Sequence, residues 1–337
     1  MKLPQAHSVN VPHGGTQPAW ARCQAVAAPS RRMTRNLMMA MVAVSSWWPW
    51  GFCQAEALRL CERNVPLSAD QQDQVLRFGG IVKAELEKSG QGMALIARSG
   101  VDLSRFGFRY SHAGLSVKAS QHAPWSVRQL YYACDEHRPR IYDQGMSGFL
   151  LAGDAPTIGY VSLVFLPAEV AAALERVAMD DRQALSLLGA AYSANAFPFS
   201  VRYQNCNQWL LELLAATWGG LLDADASAEG LRTRAQGWLE DKGYVPSVFD
   251  VGYRPLMWLG AFIPWLHSDD HPPDDIDRSL YRVSMPASIE AFVHATVPGA
   301  SRIEFCRTGR HVVVRRGWGS IAEGCEPEAD DTVISLE

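Results

Sequence analysis

A charge-free apolar run near the amino terminus limits what this chain can fold into. Three arginines between positions 31 and 35 precede the run, which extends from Leu37 to Phe52. Ala55 and Ala57 follow with the small-x-small spacing that signal peptidase recognises. The run has 16 residues, fewer than the roughly 20 of a membrane-spanning helix. We therefore predict a secretory signal over residues 33–57 rather than a membrane anchor.

Export determines how the rest of the chain is interpreted. Residues 1–32 are predicted to be a disordered leader, or an upstream extension of a reading frame that starts at Met33. After cleavage near Ala57, the mature chain is expected in the periplasm or outside the cell, without a transmembrane anchor. It is long enough for a sizeable core. We divide it into a domain over 58–242 and a carboxy-terminal extension with a hairpin over 243–337.

Charge excludes one large class of partner. The chain has a formal net charge of −4, and its lysines and arginines form no run or stripe. Proteins that bind nucleic acid present clustered positive charge, because phosphate contacts dominate their affinity. We therefore predict no nucleic-acid partner.

Cysteine counting identifies one unpaired thiol. Five of the seven cysteines follow the predicted cleavage site, which is an odd number for an oxidising compartment. Cys306 and Cys325 flank a predicted β-hairpin, so we expect them to pair with each other. Cys61 is then expected to pair with Cys134, and Cys206 is left as the free thiol.

The surroundings of Cys206 favour a reactive cysteine. Glutamine or asparagine occupies positions 204, 205, 207 and 208, and apolar residues follow at helical spacing until Gly219. Cys206 is therefore predicted at a helix N-terminus. There, free N–H groups and the helix dipole favour the thiolate and can hold an oxyanion. An ordinary unpaired cysteine is the alternative interpretation.

A nucleophilic cysteine needs a base within hydrogen-bond reach. Among the histidines, His112 lies in a predicted strand of small residues, Phe108–Val117, where another backbone or a substrate can come close. Other histidines fall in turns, in an acidic loop or at the start of a basic strand. We therefore predict His112 as the partner of Cys206.

The order of these motifs resembles the circularly permuted branch of the NlpC-type papain-like superfamily. In that branch a Ser-His-Val/Ala-Gly strand precedes the helix that the cysteine opens, and here Ser111–Gly114 precedes Cys206. The chain also resembles an uncharacterised family of exported bacterial proteins with the same two motifs. The resemblance implies an α+β fold, in which an antiparallel sheet packs against helices that include the Cys-bearing helix. It also implies that His112 is the general base and Cys206 the nucleophile.

The family also uses a third polar residue, on the strand after the histidine strand, to orient the imidazole. Trp125–Cys134 is the predicted strand, on which Gln129 and Tyr131 share a face. Gln129 is our predicted orienter because its amide oxygen accepts the imidazole N–H, and Tyr131 is the alternative. Tyr203, just before the cysteine, is predicted to donate to a developing oxyanion.

Hydrophobic periodicity predicts the elements around this site. We expect helices over Asp70–Lys88, Ala168–Met179 and Ala184–Ala194, and further strands over Met93–Arg98 and Gly159–Leu166.

Two carboxy-terminal segments allow more than one interpretation. The uncharged run Pro255–Leu266 is either a core helix, which we favour, or a lid or lipid-binding patch. The stretch from His267 to Asp277 contains residue types that bind zinc or calcium, but its two prolines favour a solvated loop. We predict no metal ion and no cofactor.

Two functions follow from these features. The first is an exported cysteine hydrolase, of amidase or peptidase type, or an acyltransferase. It forms an acyl-enzyme at Cys206 and acts on a cell-envelope peptide or lipid. The alternative is a non-catalytic envelope protein of the same fold that binds such a peptide or lipid. The joint presence of a nucleophile and a base favours the enzyme.

Overall fold

The computed structural model describes residues 67–152, 158–222, 227–260 and 262–336. Cys61 and the segments predicted to be a leader and a signal sequence lie outside these described residues. The ten described strands are β1 Met93–Arg98, β2 His112–Val117, β3 Ser126–Ala133, β4 Arg138–Gln144, β5 Gly159–Phe165, β6 Ser247–Asp250, β7 Leu280–Val283, β8 Ser301–Arg307, β9 His311–Arg316 and β10 Thr332–Ser335.

Nine helices accompany these strands in the same described ranges. They are α1 Ala69–Lys88, α2 Met146–Leu151, α3 Ala168–Met179, α4 Asp181–Leu185, α5 Cys206–Trp218, α6 Ala228–Asp241, α7 Arg254–Gly260, α8 Pro273–Asp277 and α9 Pro286–Thr296.

Eight strands form one antiparallel sheet in the order β10-β9-β8-β5-β1-β2-β3-β4. The strands near Met93 and Gly159 and helices α1 and α3 agree closely with the sequence predictions. The α+β class and the sheet packed against helices are confirmed. The boundary placed at residue 243 does not separate two sheets, because β8, β9 and β10 complete the sheet begun by the amino-terminal strands. All described residues fall within one compact unit.

Each face of the sheet is covered by its own hydrophobic cluster. On one face, Leu95 and Leu115 pack with residues of α3, α5 and α9. On the other, Ile96 and Val127 pack with residues of α1 and α2. Because side chains alternate along a strand, neighbouring residues of β1 enter different clusters. This alternation decides which helix each functional side chain faces.

Helix α1 begins at a capping box. The Ser68 hydroxyl accepts from the Gln71 amide, and the Gln71 side chain accepts from the Ser68 amide. A Cβ on Gly79 in mid-helix would lie 3.5 Å from Leu150 Cδ1, which is ordinary contact. An alanine would therefore fit at this contact between α1 and α2.

The helix predicted over Ala184–Ala194 is wrong beyond its first residues. Helix α4 ends at Leu185, and the chain then runs without regular structure towards Cys206. The Gly189 N–H donates to Gln204 Oε1, and Gln204 N–H donates to the Ala191 carbonyl. These long-range bonds satisfy backbone groups that a helix would have paired locally.

Residues 247–283 lie outside the main sheet. Strands β6 and β7 form a two-stranded antiparallel ribbon, and α7 and α8 lie in the connection between them. Phe249 of β6 packs 5.0 Å from the Phe106 ring and 4.6 Å from the Phe108 ring, in the segment that leads to β2. We call residues 247–283 the excursion.

Within the described ranges, no helix combines the length and the apolar character needed to cross a bilayer.

Candidate active site

Cys206 is the first residue of α5. The side chain of Asn205 caps the helix by accepting from Gln208 N–H over 2.7 Å. Helix α5 is buried along most of its length, and Cys206 itself is only 8% exposed. It is the free cysteine among the described residues. The sequence therefore predicted its position correctly, at a capped helix N-terminus.

His112 is the first residue of β2, and its ring is held by an amide chain. His112 Nε2 lies 2.5 Å from Gln129 Oε1, and Gln129 Nε2 donates to Gln144 Oε1 over 2.7 Å. The structure thus brings His112 together with the residue predicted to orient it. The alternative orienter, Tyr131, packs edge-on against the imidazole with ring centroids 5.6 Å apart and makes no hydrogen bond to it.

Gly114 lets Gln129 reach the histidine. A Cβ at position 114 would lie 2.8 Å from the Arg128 carbonyl oxygen and 3.2 Å from Gln129 Cβ. The β2–β3 pairing runs only from Val117 to Leu115 on β2, so the ladder has ended before His112. A glycine in the Ser-His-Ala-Gly motif is therefore a steric requirement of this site.

One backbone contact joins the cysteine helix to the histidine strand. Asn207 Nδ2 donates to the Ser111 carbonyl over 3.2 Å. The residue after Cys206 therefore touches the residue before His112.

The side chains of Cys206 and His112 belong to different faces of the sheet. Cys206 lies in the cluster that includes Ala113, whereas the His112 ring lies 6.0 Å from the Phe149 ring on the side of α2. Both are described residues, and no hydrogen bond joins them. A hydrogen bond between His112 Nδ1 and Cys206 Sγ would require one of the two side chains to move around the start of β2. At that point β2 is no longer paired with β3.

Burial keeps both groups neutral. It raises the pKa of the Cys206 thiol to about 12, and the Asn207 N–H and the charge of Arg98 offset this only in part. Burial also lowers the pKa of His112 to about 3; the charge of Arg98 lowers it further, and the bond to Gln129 acts in the opposite direction. The sequence favoured a thiolate at the helix N-terminus. In the folded chain, desolvation outweighs that effect.

A buried ion pair fixes the segment that leads to Cys206. Arg232 of α6 and Glu212 of α5 are almost fully buried, with Nε and Oε2 2.7 Å apart. Arg232 also donates to the carbonyls of Val201 and Tyr203 over 2.7 and 2.8 Å. Gln204 donates to Glu212 over 2.6 Å. These bonds set the approach of the chain to the α5 N-terminus.

Tyr203 is engaged away from the role predicted for it. Its hydroxyl donates to Asp269 Oδ2 over 3.4 Å, and its ring stacks on His267 with centroids 4.3 Å apart. The backbone N–H groups of Asn207 and Cys206 contact the sulfur instead.

A known family model covers the region that contains this site. The family model described as "Uncharacterized protein conserved in bacteria (DUF2145)" matches residues 85–293, more than half of the chain. The chain belongs to the DUF2145 family. The matched residues include His112, Gln129 and Cys206. No curated protein and no solved structure matches the chain.

The cysteines of this DUF2145 protein fall in the expected states where they are described. Cys306 and Cys325 form a disulfide with a Cα–Cα distance of 5.4 Å. Cys134 is disulfide-bonded, whereas the Cys61 of the predicted pair lies outside the described residues.

The acidic stretch from His267 is only partly solvated: Asp269, Asp274 and Asp277 are exposed, whereas other residues bind the segment that leads to Cys206. His271 is 7% exposed, and its Nε2 donates to the Asn195 carbonyl over 2.7 Å. Phe197 N–H donates to Asp270 Oδ2 over 2.9 Å. The described part of the chain contains no group of three or more histidine, cysteine or acidic side chains arranged to hold a metal.

The run Pro255–Leu266 is not the core helix that we favoured. Trp258 and Leu259 are 64% and 62% exposed, and Phe262 is 82% exposed. Met257 and Trp265 are buried. Helix α7 has only seven residues and lies on the excursion, outside the two main clusters. The excursion therefore presents a large apolar surface near the segment that leads to Cys206.

Sequence reasoning missed Gln144 and Arg98. Gln144 ends β4 and lies opposite Val127, so it shares a face with Gln129. The register of the β3–β4 hairpin would have identified it. Arg98 pairs with His112 across β1 and β2. In the sequence, Arg98 is the last residue of a predicted strand, and no motif or spacing distinguished it as a site residue.

Proposed function

We propose that this protein is an exported cysteine-dependent hydrolase or acyltransferase that acts on an amide or ester. The observation that carries the proposal is a free cysteine at a capped helix N-terminus, tied by the Asn207–Ser111 contact to a histidine with an oriented ring. A nucleophile, a base and a group that orients the base are the parts that covalent catalysis requires.

The proposed reaction uses a neutral pair. His112 Nδ1 takes the Cys206 proton as the sulfur attacks the carbonyl carbon, and N–H groups at the α5 N-terminus hold the oxyanion. The imidazolium then returns the proton to the leaving amine or alcohol, and an acyl-enzyme remains on Cys206. Water or another acceptor, deprotonated by His112, attacks the acyl group and releases the thiol.

This mechanism requires the substrate complex to differ from the free protein. In the free protein Cys206 and His112 are buried, neutral and not joined to each other. Catalytic hydrogen bonds are often formed only when substrate is bound. We propose that substrate binding brings Nδ1 and Sγ together beside the Asn207–Ser111 contact.

We also propose a permuted papain-like arrangement for the fold. The support is the order of the elements: a histidine strand, then a strand with the orienting residue, then a helix opened by the cysteine and packed on the sheet. Periplasmic or extracellular location is proposed with it. Its support is the disulfide between Cys306 and Cys325, since such bonds persist in oxidising compartments.

Cell-envelope lipids and peptidoglycan peptides are the two proposed substrate classes. The exposed side chains of Trp258 and Phe262 favour a lipid ester or amide as the first class to test. The second function, a non-catalytic envelope protein that binds the same molecules, is favoured by one observation. The thiol and the imidazole make no hydrogen bond with each other in the described chain.

Formation of the acyl-enzyme is the decisive test. The purified protein is incubated with activated esters and amides of short and long acyl chains, and adducts on Cys206 are located by mass spectrometry. We expect an adduct on the wild type, none on Cys206→Ala, and at least tenfold slower formation on His112→Ala. Adducts that form equally fast without His112, or no adduct with any acyl donor, would favour the binding protein.

A further inference from the structure

The side-chain amides of Gln144 and Gln129 form a hydrogen-bonded chain that ends at the imidazole of His112. Gln129 Oε1 contacts His112 Nε2, and Gln129 Nε2 donates to Gln144 Oε1. An amide oxygen only accepts and an amide nitrogen only donates. The orientation of Gln129 therefore decides whether His112 Nε2 carries the proton.

Gln144 is the group that can fix this orientation. It is half-buried at the end of β4, and its Oε1 accepts from Gln129 Nε2. With an acceptor at position 144, Gln129 directs its nitrogen towards β4 and its oxygen towards the histidine. A donor at position 144 would favour the reverse.

We infer that Gln144 is a positioning residue that, through Gln129, holds His112 in the tautomer with the proton on Nε2. Nδ1 is then the basic nitrogen. The inference rests on the proposed function only where it assigns which nitrogen of His112 takes the Cys206 proton. The tautomer itself is a property of the free protein.

The opposite orientation of both amides keeps the same two hydrogen bonds, and it is the alternative that the experiment must exclude. If both amides turn over, Gln144 Nε2 donates to Gln129 Oε1, and Gln129 Nε2 donates to an unprotonated His112 Nε2. The proton of His112 would then be on Nδ1. The unprotonated nitrogen would be Nε2, which already accepts a hydrogen bond from Gln129 and so could not take the Cys206 proton.

Nitrogen NMR of the full chain labelled with ¹⁵N-histidine distinguishes the two arrangements. Protonated and unprotonated ring nitrogens have well-separated shifts, and a His112→Gln variant assigns the signal. We expect Nε2 protonated and Nδ1 unprotonated at neutral pH in the wild type. A wild-type His112 with the proton on Nδ1 would overturn the inference.

A matched pair of variants tests the role of Gln144. Gln144→Glu presents only acceptors at neutral pH, and Gln144→Lys presents only donors. We expect the glutamate variant to keep the Nε2 proton and the lysine variant to move it to Nδ1. If both variants keep the wild-type tautomer, Gln144 has no positioning role. Gln144→Leu, which lacks both groups, replaces the lysine variant should that chain not fold, and we expect it to populate both tautomers.

Acylation of Cys206 then separates this inference from the proposed function. If His112 Nδ1 is the base, an activated ester should acylate Cys206 at neutral pH several-fold more slowly in Gln144→Lys than in Gln144→Glu, because substrate binding brings the two side chains together. A tautomer that follows the variants while the acylation rate does not would support the positioning role and contradict the use of His112 as the base for Cys206.

Discussion

Asn207 donates from Nδ2 to the backbone carbonyl of Ser111 over 3.2 Å, and this contact places the N-terminus of the cysteine helix at the start of the histidine strand. The two residues are 96 positions apart in sequence. It joins the residue after Cys206 to the residue before His112.

Replacement of Gly114 by alanine should separate Gln129 from His112. The new Cβ would lie 2.8 Å from a backbone oxygen, so β3 must shift, and overpacking of this kind costs about 1–3 kcal/mol. Urea unfolding measures the loss. Gly80→Ala on α1 is the control, because nothing lies within 4 Å of its Cβ and stability should not fall. Equal effects of the two substitutions would contradict the steric role of Gly114.

Protonation of His112 should destabilise the fold in acid. Its pKa falls from 6.5 to about 3 on folding, so the unfolded chain binds the proton first. The stability that neutral His112 provides is complete above pH 6.5 and is lost as the pH falls towards 3. Urea unfolding from pH 8 to 3.5 should therefore show a shallower acid loss for His112→Gln than for the wild type. Gly80→Ala, which changes no titratable group and meets nothing within 4 Å, is the control and should retain the wild-type slope.

Alkylation of Cys206 should be slow in the resting protein. Burial raises the pKa of the thiol to about 12, so the reactive thiolate is scarce at pH 7 and increases as the pH rises. The rate of iodoacetamide modification from pH 6 to 10 should increase throughout, and at pH 8 it should lie below that of a small-molecule thiol. A rate already at its maximum near pH 6 would mean that a thiolate–imidazolium pair exists before substrate binds.

Breaking the Glu212–Arg232 ion pair should destabilise the fold around the segment that leads to Cys206. Removal of one partner leaves a buried charge, which costs about 3–5 kcal/mol. Glu212→Gln and Arg232→Met should each lower the free energy of unfolding by that order in urea. The exposed pair Arg77–Asp73 provides the control: Asp73→Asn should change stability by less than about 1 kcal/mol.

The exposed apolar side chains of the excursion should matter only for lipid substrates. Trp258→Ser with Phe262→Ser removes the two most exposed large aromatic residues of this surface. Under the proposed function, the turnover of an ester in vesicles should fall several-fold, and that of a soluble short-chain ester should stay unchanged. Leu185→Ser, which alters an apolar residue that is 50% exposed on α4, is the control. Equal loss on both esters would favour a structural role instead.

Several parts of the fold and site could be predicted because they depend on local rules. Period-two alternation placed Gln129 and Tyr131 on one face of β3, and the structure puts the first in contact with His112. Helical periodicity after Cys206, ended by Gly219, placed Cys206 at the start of α5. The hairpin flanked by Cys306 and Cys325 was likewise predicted from alternation alone.

Other parts could not be predicted because the competing interactions are distant in sequence. The segment after Leu185 has helical composition, but Gln204 satisfies its backbone groups from 15 residues away at Gly189. The run that contains Trp258 has the apolar character of a core helix, yet the sheet core is already filled by other elements. Hydrophobicity alone does not determine which apolar segments are buried in the core.

The sequence by itself determined the chemical parts of this protein: an odd cysteine at a helix start, a histidine among small residues, and a polar strand beside it. Each follows from short-range periodicity and counting. Only the tertiary structure decided how these parts act. It placed the thiol and the imidazole on different faces of one sheet, buried them so that both are neutral, and added Gln144 behind Gln129. Burial and hydrogen-bond partners depend on which elements pack together, and no local pattern encodes that.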